Sequence, residues 1–178
     1  MNCWKTINVN REFGINRIYV VSFLIGLLSF IFLYLPFSII HQSHELKDHG
    51  VFPLLLGLVL LPLVHNLMHI LPLILINRRM KIKWHIKYKI FLIISSLPKS
   101  KMSKQTTLFS LLAPTLFLTV PGLITSYLFT DYYAYFLIFT AFNIGLSFTD
   151  FLCASKLIKA PKKCIVENFN DGFDILVR

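Results

Sequence analysis

The chain has 178 residues, of which 56% are hydrophobic and 15% charged, with 17 Phe and 7 Tyr; an ordinary soluble domain carries about 25% charged residues. That aromatic load overfills a water-soluble core of this length, and the mean hydropathy of +0.68 points to an integral membrane protein. The formal net charge of +10 is then first a topology signal, which leaves no need for a nucleic-acid partner.

Four segments are long enough to cross a bilayer core, which takes about 20 apolar residues at helical rise. They run from about 18 to 40, 51 to 76, 107 to 129 and 132 to 155. Helices are the expected form, because lipid offers no partner to unpaired backbone groups. The first run is too long for the apolar region of a cleavable signal peptide, and no small-x-small site follows it. Cys3, Cys153 and Cys164 are odd in number and lack metal-ligand spacing, so neither a disulfide framework nor a zinc ribbon is expected. Only Thr130-Asp131 separates the third run from the fourth, which predicts an antiparallel hairpin.

Lys and Arg set the orientation. Three lie in the first 17 residues, nine between the second and third runs and five in the tail, leaving Lys47 alone on the other side. Both termini, the loop 77–106 and the tail 156–178 are therefore expected in the cytoplasm. The fold class read from the chain is a single all-α membrane domain over 1–178 with four transmembrane helices and a small cytoplasmic β-sheet.

The sheet expectation rests on two patterns. Met80, Ile82, Trp84, Ile86, Tyr88 and Ile90 alternate with Lys81, Lys83, His85, Lys87 and Lys89, the period of a strand at the membrane surface. In the tail, Cys164-Ile165-Val166 and Phe173 to Val177 flank an Asp171-Gly172 turn. The loop pattern also fits a basic stripe on anionic lipid, and both readings stand. The run Ile90 to Leu97 is too short to span and is expected to be interfacial or re-entrant.

Ionisable residues inside a span are costly and so mark functional candidates. The second run holds His65, Asn66 and His69 between Pro62 and Pro72; the fourth holds Asn143 and Asp150. His65 and His69, four apart on a helix, share a face about 6 Å apart along the axis, the spacing two histidines need to hold one zinc ion. Asp150 is the intramembrane carboxylate available as third ligand. His69 precedes Arg78 by about 13 Å of helical rise and Asp150 precedes Lys156 by about 9 Å, so the two are expected at similar depth. Asn143, two turns before Asp150, lies on the same face. Three uses are open for this set: a metal site, an interhelical polar cluster, or a proton or substrate path. In the outer loop, which also holds His41, the string His44-Glu45 looks like the start of a metalloprotease motif, but the next histidine, His49, stands five residues after His44 and not four, so the stretch reads as a solvated loop.

The His65-x-x-x-His69 pair in a membrane helix, the basic loop after it, Ser147-Phe-Thr-Asp150-Phe151-Leu152 and the tail from Ala160 to Ile175 resemble the bacterial family described as "putative zincin peptidase". That family's architecture is similar to the site-2 intramembrane metalloproteases. The resemblance implies a bacterial plasma-membrane protein with zinc held by His65 and His69, and with Asp150 as third ligand by analogy with the later aspartate of those proteases. The family's string is His-Glu-x-x-His, and here Asn66 stands at the general base; Asn cannot take a proton near neutral pH, a loss of about 10²–10⁴ in rate. Two classes of function follow. One is a metallopeptidase, weak or inactive, whose membrane-protein substrate adds to an edge strand near Lys81, Lys83, Trp84, Lys87 and Lys89. The other is a non-catalytic relative that binds a membrane partner or senses a metal.

Overall fold

The computed structural model describes residues 2–41, 50–76, 101–162, 164–169 and 172–177. The chain opens with strand β1 (Asn2–Ile7) and a short helix α1 (Val9–Phe13), whose first turn is capped by Asn8 Oδ1 accepting from Arg11 N at 3.0 Å. Gly14, at φ 78°, turns the chain into α2 (Ile15–Ile40). Helix α3 follows (Val51–Ile76), with Pro62 and Pro72 inside it. Each of these long helices has 26 residues, about 39 Å at 1.5 Å per residue, enough to cross a hydrocarbon layer of about 30 Å. Their large apolar side chains, among them Phe23, Phe32, Phe52 and Val59, point outward, as lipid-facing residues do.

After strand β2 (Lys101–Ser103) comes a helical stretch in three parts: α4 (Lys104–Pro114), a π-turn (Thr115–Thr119) and α5 (Val120–Leu128). Ser103 caps its start, accepting from Thr106 N at 3.3 Å. The last apolar segment, expected as one helix over 132–155, is divided. A 3₁₀ turn (Thr130–Tyr132) leads into α6 (Tyr133–Leu146), and α7 (Phe148–Ile158) continues at an angle of 43°. At the break the Asn143 carbonyl accepts from both Ser147 N and Ser147 Oγ, each at 2.9 Å. Such back-bonding by a serine hydroxyl bends helices. Among the described residues, three helices are long and apolar enough to cross a membrane, and the bent pair makes a fourth candidate.

The bend is held by close backbone contact. A Cβ on Gly145 would lie 2.7 Å from the Ser22 carbonyl and 3.2 Å from Gly26 Cα. Only glycine lets α2 and α6 approach this far, the small-residue packing that membrane helices use in place of a hydrophobic drive.

Strands β3 (Cys164–Phe169) and β4 (Gly172–Val177) form the expected tail hairpin and sit at the centre of a four-stranded antiparallel sheet in the order β1-β4-β3-β2. Its outer strands come from the N-terminus and from Lys101–Ser103, at neither of which the sequence analysis placed a strand. The alternating segment Met80 to Ile90 and the run Ile90 to Leu97 lie outside the described residues. One sheet face buries Ile7, Val166, Phe173 and Ile175 against Leu111 of α4, Ala154 and Leu157 of α7 and Ile18 of α2. Lys104 reinforces that junction, its Nζ donating to the Ile158 and Ala160 carbonyls at 2.9 and 2.6 Å. Lys156 pairs with Glu12 and lies over the Phe13 ring, tying α1 to α7.

Candidate metal centre

Helical spacing puts the His65 and His69 rings on one face of α3, with centroids 5.1 Å apart and planes nearly perpendicular. The bend between α6 and α7 places Asp150 in the first turn of α7, where the helix dipole favours a carboxylate. The three side chains converge. His65 Nε2 lies 3.1 Å from Asp150 Oδ2, and His69 Nε2 lies 3.5 Å from Asp150 Oδ1.

The far side of each ring is pinned. His65 Nδ1 lies 2.8 Å from Asn143 Oδ1, and Asn143 Nδ2 donates to Thr119 Oγ1 at 2.9 Å and to the Pro114 carbonyl at 3.3 Å. A carbonyl accepts only, so the amide nitrogen must face Pro114 and its oxygen must face His65; Nδ1 of His65 is therefore the donor. His69 Nδ1 donates to the Ser110 carbonyl at 2.8 Å, and Ser110 Oγ donates back to the His69 carbonyl at 2.7 Å.

With Nδ1 carrying the proton, a neutral imidazole presents a bare Nε2 lone pair. Two such lone pairs then face an anionic carboxylate at 3.1–3.5 Å, which is repulsive unless a cation or an added proton lies among them. Zinc fits the donor set. Ligand atoms at about 2.0–2.1 Å from a tetrahedral ion are about 3.3 Å apart, and each nitrogen has its own Asp150 oxygen near that distance, Oδ2 for His65 and Oδ1 for His69. One ligand atom from each of His65, His69 and Asp150 lies within 4.8 Å of the other two. Each imidazole also has the oxygen partner on its second nitrogen that metal-bound histidines have.

Asn143 is fully buried and touches His65. Asn66 is partly buried on α3 and has a polar partner of its own. Lys81, Lys83, Trp84, Lys87 and Lys89 lie outside the described residues, as do His44, Glu45 and His49. His41 is described and stands apart from the cluster, buried at the far end of α2 with its ring 5.1 Å from that of Tyr133. Motif spacing does not point to Ser110, Pro114 or Thr119. The available signal was their chemistry: two hydroxyls and a helix-breaking proline inside one apolar span. Beside the cluster an apolar cleft of about 310 Å³, walled by Leu60, Leu61, Val64, Leu118 and Phe139, reaches Asn143.

No curated protein and no solved structure matches the chain. The sequence model of one family covers Leu58 to Ile165, more than half of the chain and all three residues of the cluster. On that match this membrane-helical chain belongs to the family described as "Putative zincin peptidase".

Proposed function

We propose that the protein is an intramembrane metallopeptidase of reduced hydrolytic power, with zinc held by His65, His69 and Asp150. The convergence of two Nε2 lone pairs and a carboxylate on one point carries this reading. A zinc ion there supplies a Lewis acid for polarising a peptide carbonyl. Asn143 and the Ser110 carbonyl hold the two rings in place, with His65 buried and His69 and Asp150 partly buried. Proton transfer is the weak point. Asn66 occupies the position of the zincin glutamate and cannot hold a proton, which is expected to reduce the rate by about 10²–10⁴. The bias of Lys and Arg supports both termini in the cytoplasm, and the family resemblance implies a bacterial plasma membrane.

Asn66 also supports a second reading, a zincin-like protein that keeps the metal centre and uses it to sense a metal or bind a membrane partner. Elemental analysis of the detergent-purified protein tests what the two share: about one zinc per chain is expected in the wild type and none in His69→Ala. Equal zinc in both proteins overturns the site. Asn66→Glu separates the readings. A gain of about 10²–10⁴ in hydrolysis of a membrane-bound peptide, with zinc content unchanged, supports the peptidase; no gain leaves the non-catalytic reading.

A further inference from the structure

Both histidine anchors depend on one interrupted helix, which supplies the acceptor for His69 directly and, for His65, the groups that orient the acceptor Asn143. In an unbroken helix the carbonyl of Ser110 would take the N–H four residues on, but that residue is Pro114, which has none. The N–H of Thr115 is also engaged, donating to the Leu112 carbonyl. The Ser110 carbonyl is thus left for His69 Nδ1, 2.8 Å away. The π-turn begins at the next residue, and Val120 N reaches back five residues to the Thr115 carbonyl. Such turns widen a helix locally and recur at functional sites. Here Thr119 Oγ1 and the Pro114 carbonyl jointly take the two amide protons of Asn143, which turns its oxygen onto His65 Nδ1.

We propose that Pro114 and Thr119 are positioning residues: Pro114 by withholding an N–H from the Ser110 carbonyl, Thr119 by orienting Asn143. Together they lock His69 and His65, respectively, in the tautomer protonated at Nδ1, so that both Nε2 lone pairs face Asp150. The usefulness of that lock rests on the zinc reading above. Its physical content, the tautomer of each ring, does not.

The test is nitrogen NMR of histidine-labelled, metal-free full-length protein in detergent, with His65→Gln and His69→Gln assigning the two rings. The wild type is expected to show a proton fixed on Nδ1 of both rings, whether Nε2 is bare or takes up the proton that Asp150 draws in without the metal. Pro114→Ala restores a backbone N–H at 114; His69 should then lose its single tautomer while His65 keeps its own. Thr119→Val should do the reverse. Zinc affinity, read by chelator competition, should fall by about 10–100-fold in either variant. Ser110→Ala keeps the carbonyl and should keep the His69 tautomer. If Pro114→Ala does not fold, Pro114→Gly offers the same N–H on a more pliable backbone.

Unchanged tautomers in both variants, or equal changes at both rings in each, overturn the proposal, because general loosening of the helix would not discriminate between the histidines. A wild type with both tautomers locked but no zinc would sink the metal reading and leave this one standing. Zinc bound to a protein whose metal-free rings exchange tautomers would do the opposite.

Discussion

The sheet junction buries apolar residues almost alone, whereas the helical bundle buries polar residues beside apolar ones such as Leu73 and Leu137. At the junction the enclosed side chains are Ile7, Leu157, Val166 and Ile175, the apolar set that water expels. Inside the bundle they include Ser110, Ser126, Thr140, Asn143 and Ser147, while large apolar residues of the long helices face outward. Lipid chains are as apolar as leucine, so a membrane helix gains little by turning Leu inward. What its interior rewards is close approach, through Gly26 and Gly145, and hydrogen bonds such as those of Asn143. A candidate metal centre of two imidazoles and a carboxylate belongs to the second kind of interior, where Asn143 and the Ser110 carbonyl aim the two rings.

Matched substitutions sharpen that contrast, the largest effect first. Leu157→Ala, at a fully buried site in the junction, should destabilise by about 2–5 kcal/mol in denaturant unfolding of the detergent-solubilised protein. Leu24→Ala on α2, where the side chain is 55% exposed, should change stability by no more than about 0.5 kcal/mol. Similar costs at both sites would break the distinction. Gly145→Val comes next. Its added carbons meet the Ser22 carbonyl, and overpacking of this kind costs about 1–3 kcal/mol. Because Gly145 holds the bend that delivers Asp150, the same variant should also bind less zinc than the wild type by elemental analysis. Full zinc loading in a folded Gly145→Val protein would show that the bend does not depend on this contact. The smallest effect belongs to Ser110→Ala, which removes the hydroxyl bond to the His69 carbonyl. An interhelical hydrogen bond in a membrane is worth about 0.6 kcal/mol, and a loss above about 2 kcal/mol would mean that the bundle interior is as sensitive as the junction.

Much of the candidate site was legible before any coordinates. His65 and His69 share a face because a helix advances about 100° per residue, and the position of Asp150 relative to the basic flank predicted a similar depth. Asn143 followed from its two-turn spacing to Asp150. The tail hairpin was legible from alternation around Asp171-Gly172. Strand Lys101–Ser103 was not, since three residues hold no measurable period and its partner is β3, more than sixty residues away. The N-terminal strand has the same difficulty, being paired with β4 at the other end of the chain. The division of the last span at Ser147 was not read from the sequence, since the features at the bend are one hydroxyl bonded to a carbonyl and one close glycine contact.

By itself the sequence determined the number and length of the apolar segments and the shared face of the two histidines. Both are consequences of helical rise and bilayer thickness, which act on neighbouring residues. Tertiary structure decided which groups those histidines meet. Asp150 meets His65 across 85 positions, Asn143 bonds it across 78, and the Ser110 carbonyl reaches His69 across 41. Such pairings depend on how bent and interrupted helices cross, and no local period records a crossing.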